Sequence, residues 1–137
     1  MTRRLFAYGT LQFADIFAAV TGLQAAGVAA TLAGFRCEGV RGELYPAVRP
    51  EASGQVAGRV YHGLSRPALA ALDRFEGDEY RRRVVTVVLE DGRRQQAWCY
   101  VIAPHWRRRL DGRLWDPVQF ERLHRRAYLR RLQSGHR

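Results

Sequence analysis

Two short stretches of this 137-residue chain hold residue types at spacings that suit chemistry. The first is Tyr8-Gly9-Thr10-Leu11. A glycine there permits a tight turn in which successive backbone N–H groups face one concavity, a cradle for a carboxylate or a polarised carbonyl oxygen. A following helix N-terminus would add partial positive charge. The second is Leu72-Asp73-Arg74-Phe75-Glu76-Gly77-Asp78-Glu79-Tyr80, with four carboxylates between positions 73 and 79. Carboxylates this close disfavour one another's ionisation, and one desolvated beside Phe75 can serve as a general base near neutral pH. The plainer readings are an ordinary Gly-Thr turn and a solvated acidic turn beside Arg81, Arg82 and Arg83, with Asp73 and Glu79 as ion-pair partners of nearby arginines. Tyr45-Pro46-Ala47 is a third candidate, either a cavity wall or an edge-strand proline. His62, His105, His124 and His136 have no spacing for a metal site or a catalytic triad, and Ser65 reads as a helix cap rather than a nucleophile.

The elements around these residues follow from periodicity. Leu5 to Tyr8 reads as a buried strand stopped by Gly9. Phe13, Ile16, Phe17 and Val20 recur at helical spacing, predicting a helix that ends at Gly22. β-like pieces follow at Ala25 to Leu32, Gly34 to Gly42, Glu43 to Val48 and Gly54 to Tyr61, predicting a curved sheet or barrel rather than repeated βαβ units. Ser65 and Pro67 open a short helix ending near Gly77. Arg82 to Leu89 and Gln95 to Ile102 form a hairpin about Asp91-Gly92. Asp116-Pro117 starts one terminal helix whose apolar positions are Phe120, Leu123, Ala127 and Leu132.

Composition narrows the classes. Hydrophobic content of 47% and charged content of 26% exclude wholesale disorder and a disulfide-built miniature, and the length suits a single domain over 1–137. All 23 basic residues are arginine; residues 81–137 carry 15 of them against five acids, whereas residues 1–80 carry eight of each. The net charge of +10 is therefore C-terminal. Arginines beside Trp98, Tyr100 and Trp106 suit a nucleic-acid surface, but lysine and asparagine are both missing, which points to coding bias, and adsorption without a specific nucleic-acid role is the expectation. The charge-free run from Ile16 to Phe35 is broken by Gly22, Gly27 and Gly34, so no membrane span is expected. The first residues lack a signal-peptide apolar run, and Cys37 and Cys99 read as free buried thiols, so a cytoplasmic location is expected.

Taken in order, Leu-Phe-x-Tyr-Gly-Thr-Leu, Gly-Glu-Leu-Tyr-Pro-Ala-Val, Val-x-Gly-x-Val-Tyr and Leu-Asp-x-Phe-Glu-Gly-x-Glu-Tyr-x-Arg closely resemble the gamma-glutamylcyclotransferase-like superfamily. The branch is that of the plant avirulence-induced proteins and their bacterial relatives, which the Trp115-Asp116 and Phe120 to His124 segments also resemble. The resemblance implies an α+β fold, a small mixed β-barrel with flanking helices. It implies a cofactor-independent, metal-free enzyme that cyclises a small gamma-glutamyl amide or amine to 5-oxoproline, as a monomer or weak dimer. The acid/base glutamate of that family falls on Glu76, not on Asp73, Asp78 or Glu79. Its substrate cradle falls on Tyr8, Gly9, Thr10 and Leu11, with Tyr45, Pro46 and Tyr80 along the cavity. A member of the same fold that only binds a small ligand, or a basic nucleic-acid-binding protein, are the competing expectations.

Overall fold

The computed structural model describes residues 2–135, so His136 lies outside the described residues. Six strands and four α-helices follow in the order β1 (Leu5–Ala7), α1 (Ala14–Thr21), β2 (Val28–Val40), β3 (Pro46–Tyr61), α2 (Arg66–Glu76), β4 (Tyr80–Leu89), β5 (Arg94–Ile102), β6 (Leu110–Leu114), α3 (Pro117–Leu123) and α4 (Arg125–Gln133). Five strands close a mixed barrel. β1 is antiparallel to β3 and parallel to β5, β5 pairs with β4, β4 meets β2 at Ala30↔Leu89 and Thr31↔Val88, and β2 returns to β3. β6 adds to the outer part of β2.

Period-two alternation divides the apolar side chains into two cores. Phe6, Tyr8, Leu32, Val48, Val60, Val87, Cys99 and Val101 form one cluster. Their strand neighbours Leu5, Ala7, Tyr61, Tyr80, Tyr100 and Ile102 form the other, packed with Ile16 and Phe17 of α1, Leu72 of α2, Phe120 of α3 and Tyr128 of α4. The first cluster fills the barrel; the second lies under the helices. Phe17 stacks on Tyr61 with ring centroids 3.8 Å apart.

The local signals for α1, α2 and the β4–β5 hairpin match what forms. Ser65 accepts a hydrogen bond from the Ala68 N–H at 3.2 Å, and Asp116 caps α3 by accepting from the Val118 N–H at 2.9 Å. Three expectations are corrected. The four β-like pieces between Ala25 and Tyr61 are two long strands, because Gly34, at φ +85°, makes a bulge between Ala33 and Phe35 instead of ending the strand. The single terminal helix is two, broken at His124 (φ −130°, ψ −20°). That break shifts the buried phase to Phe120 and Tyr128, leaving Leu123 62% exposed and Ala127 on the surface. Finally, Cys99 is buried but Cys37 only partly so; both are free.

No helix among the described residues is long and apolar enough to cross a membrane.

Candidate active site

β1 delivers the chain to the barrel mouth, where Gly9 leads into a single 3-10 turn at Thr10–Gln12 before α1 begins. The turn's carbonyls are engaged, mostly within the turn itself. Tyr8 O accepts from Gln12 Nε2 at 2.8 Å, Gly9 O from the Gln12 N–H at 3.1 Å, Thr10 O from the Phe13 N–H at 3.3 Å and Leu11 O from the Tyr61 hydroxyl at 2.9 Å. The N–H groups that open a helical turn have no acceptor within it. Gly9 is required by contact: a Cβ there would lie 2.8 Å from both Cγ and Cδ of Pro46. Pro46 is the first residue of β3, where a missing N–H costs the sheet little. Its carbonyl accepts the Tyr80 hydroxyl at 2.8 Å.

These residues line one narrow cleft together with Glu76, the last residue of α2. The cleft offers about 30 Å³ to the centre of a water-sized molecule, and Leu5, Phe6, Ala7, Phe75 and Tyr100 complete its walls. Glu76 is 8% exposed. Its charge is felt by the Tyr8 and Tyr100 hydroxyls and by the Cys99 thiol. Burial above all, then the neighbouring Tyr80 and other groups, holds the Tyr8 phenol well above its ordinary value of 10.0, so it stays protonated and donates a hydrogen bond to Tyr100 O at 2.6 Å. Burial likewise pushes Cys37 up to about 12 and Cys99 further still, which removes both thiols as nucleophiles at neutral pH.

The four acids of the cluster occupy four environments. Glu76 lines the cleft, while Asp73 binds Arg82 Nε at 3.0 Å and accepts the Tyr100 hydroxyl at 2.7 Å. Glu79 accepts the Tyr45 hydroxyl at 3.2 Å, and Asp78 is exposed. All eight residues singled out in the sequence, Tyr8 to Leu11, Tyr45, Pro46, Glu76 and Tyr80, line the cleft. Phe75 reads in the sequence as backing an acid of the cluster, whereas sequence reasoning passed over Leu5, Phe6, Ala7 and Tyr100 as wall residues. Tyr100 could have been found from the hairpin register, since it lies opposite Arg82 and two residues before Ile102, the partner of Tyr80.

A larger, more open groove of about 680 Å³ runs over β2, β3 and β6, lined by Arg36, Glu38 and Arg49 among others. Its volume is misleading as a guide to chemistry, because its central carboxylate is fully engaged by arginines and a backbone N–H. No arginine lines the narrow cleft among the described residues, so the C-terminal charge excess does not form its wall.

Comparison with known proteins agrees with this architecture. AIG2-like protein A of Arabidopsis thaliana is 32% identical over 128 residues, spanning 91% of this chain and 76% of that protein. A second Arabidopsis thaliana protein, whose structure was solved in solution, superposes with a TM-score of 0.74 at 30% identity and covers 93% of this chain and 86% of its own. A solved gamma-glutamyl cyclotransferase shares the fold at a TM-score of 0.66 and 16% identity, covering 98% of this chain and 88% of that one. Residues 5–117 match the family described as gamma-glutamyl cyclotransferase, AIG2-like, and it is to this family that the chain belongs.

Proposed function

We propose that this protein is a gamma-glutamyl cyclotransferase that converts a gamma-glutamyl amide or amine to 5-oxoproline and a free amine. The observation that carries the reading is the meeting, in one cleft, of a buried carboxylate at the end of α2 with the Tyr8–Leu11 turn that follows β1. A gamma-glutamyl group contains its own nucleophile. Its α-amine attacks the γ-carbonyl carbon, a C–N bond closes the five-membered ring, and the original amide C–N bond breaks.

At neutral pH the α-amine is mostly ammonium, so ring closure needs a base. Glu76 takes that proton and returns one to the departing nitrogen, so one carboxylate serves both steps. Proton transfer of this kind contributes about 10² to 10⁴ in rate. Holding the glutamyl chain in its cyclising conformation contributes a further entropic share, supplied by the walls Tyr45, Pro46 and Tyr80. The N–H donors of the Gly9–Leu11 turn hold an anionic oxygen of the glutamyl part, either its α-carboxylate or the developing oxyanion. The chemistry calls on no cofactor.

The test is mass-spectrometric detection of 5-oxoproline after incubating the protein, and its Glu76→Gln variant, with a panel of gamma-glutamyl dipeptides and gamma-glutamylamines. Release by the parent, at least 100-fold slower in the variant, is the expected result and ranks the leaving amines. No release from any member, or undiminished release by Glu76→Gln, would overturn the assignment and favour a binding role for the cleft.

A further inference from the structure

Asp73 occupies an unusual place for an acid with a side chain 44% exposed. It sits three residues before Glu76 on α2, and its main-chain carbonyl accepts the Gly77 N–H that closes the helix. Its carboxylate reaches the other way, to the β4–β5 hairpin. Oδ1 accepts the Tyr100 hydroxyl at 2.7 Å and pairs with Arg82 Nε at 3.0 Å. Arg82 is itself held, with its guanidinium carbon 4.2 Å from the centre of the Trp98 ring. The links continue from Tyr100, whose carbonyl accepts the Tyr8 hydroxyl at 2.6 Å, and Tyr8 opens the turn proposed to cradle the substrate. One side chain thus joins the helix end that presents Glu76 to the strand that anchors the cradle.

We infer that Asp73 is a positioning residue: through Tyr100 it sets the distance between the Glu76 carboxylate and the Tyr8–Leu11 turn. The inference rests on the proposed cyclotransferase reading, which assigns roles to those two groups. A half-exposed ion pair contributes little to global stability. Misplacing a catalytic group by about 1 Å, in contrast, costs on the order of 10² in rate. Loss of the link should therefore appear in turnover rather than in melting temperature. The Tyr100 phenol, lifted well above its ordinary value by burial and then by its bond to Asp73, remains a donor at neutral pH. What it needs at position 73 is an acceptor oxygen, not a base.

That requirement separates positioning from catalysis. Asp73→Ala removes the acceptor and should lower kcat about 10- to 100-fold with KM changed by less than about threefold. Asp73→Asn retains an acceptor oxygen and should recover activity to within about fivefold of the parent. Tyr100→Phe should match Asp73→Ala, and the double variant should be little worse than either, because both remove one link. Asp73→Asn as damaging as Asp73→Ala would assign Asp73 a proton-transfer role instead, and multiplicative single effects would dissolve the link.

A second readout does not depend on turnover. Amide hydrogen exchange at Glu76 and Gly77 should be about tenfold faster in Asp73→Ala than in the parent. Unchanged exchange would overturn the inference even if activity fell. If the parent protein releases no 5-oxoproline from any substrate, the proposed function fails by itself, and the exchange data alone decide whether Asp73 fixes the helix end.

Discussion

Glu38 and Glu76 are the two buried acids among the described residues, 3% and 8% exposed, and their surroundings could hardly differ more. Glu38 lies on β2 with Oε2 bound by Arg36 Nε at 3.0 Å and Arg49 Nε at 2.7 Å, while Oε1 accepts the Gly112 N–H at 3.0 Å. Burial opposes its ionisation, but the hydrogen bonds from Arg49 and Arg36 and the Gly112 N–H outweigh it and hold the carboxyl below its ordinary 4.5. Both oxygens are committed to joining β2, β3 and β6. Glu76 instead shares its cleft with four tyrosines, a proline and a backbone turn, and with no arginine among the described lining residues. Burial marks both; the company separates a structural tie from the acid proposed to meet a substrate.

The sharpest way to break this comparison is to neutralise each acid in turn. Glu76→Gln is expected to cost at least 100-fold in 5-oxoproline release while leaving the thermal midpoint within a few degrees. Glu38→Gln should do the reverse. It leaves Arg36 without its anion and Arg49 with only the more exposed Glu51, and because both arginines are about a third exposed, solvent limits the loss to about 1–2 kcal/mol, a fall in midpoint on the order of 5 °C. Exchanged outcomes, with Glu38→Gln silent in stability and inactive, would mean that the large groove holds the chemistry.

A smaller effect on turnover probes the geometry opposite Glu76. Gly9→Ala places a Cβ against the Pro46 ring, which cannot swing aside without disturbing the carbonyl that holds Tyr80. The expected cost is about 1–3 kcal/mol in urea unfolding and about tenfold in kcat/KM. Full activity would show that the turn and Pro46 need not touch for the cleft to work. Below this in size is the acid limb of the stability curve. Because the folded carboxyl of Glu38 is held below 4.5, its contribution is fully present above that pH and is lost as pH falls through the lowered value. The stability gap between the parent and Glu38→Gln should therefore close below about pH 4.5, as read from urea unfolding at stepped pH. A gap that persists to pH 2 would show that the hydrogen-bond geometry, rather than the charge, holds this region.

How far these features were legible depends on how local their causes are. Ser65 with Pro67, Asp116 with Pro117 and the Asp91-Gly92 pair each act within a few residues, and each forms the cap or turn its chemistry dictates. The two long strands were not legible, because a glycine between apolar runs reads equally as a stop or as the bulge Gly34 makes once β3 pairs alongside. The break at His124 is likewise tertiary: Phe120 packs against Phe13, Trp115 and Tyr128, which an uninterrupted helix with Leu123 and Ala127 inward would not allow. At the cleft, the ordered motifs pointed to eight of the lining residues and an arginine partner was expected for Asp73, whereas the bond between Asp73 and Tyr100 depends on how α2 sits against the hairpin, which no single segment encodes.

The smallest expected effects distinguish the floor of the cleft from its lip. The Tyr80 hydroxyl is buried and donates to Pro46 O at 2.8 Å, so Tyr80→Phe strands a buried acceptor beside Gly9 and should cost about 1–2 kcal/mol and a few-fold in kcat/KM. The Tyr45 hydroxyl reaches Glu79, a half-buried acid, over a longer 3.2 Å. Water can replace that partner, so Tyr45→Phe should cost less than about 1 kcal/mol and no more than about twofold in kcat/KM. Parallel urea melts and progress curves for the two variants give the order directly. If Tyr45→Phe proves the more damaging, the lip rather than the Pro46 floor fixes the bound chain, and the contrast between Glu38 and Glu76 extends to Glu79 as a third kind of acid, one that closes the cleft over its substrate.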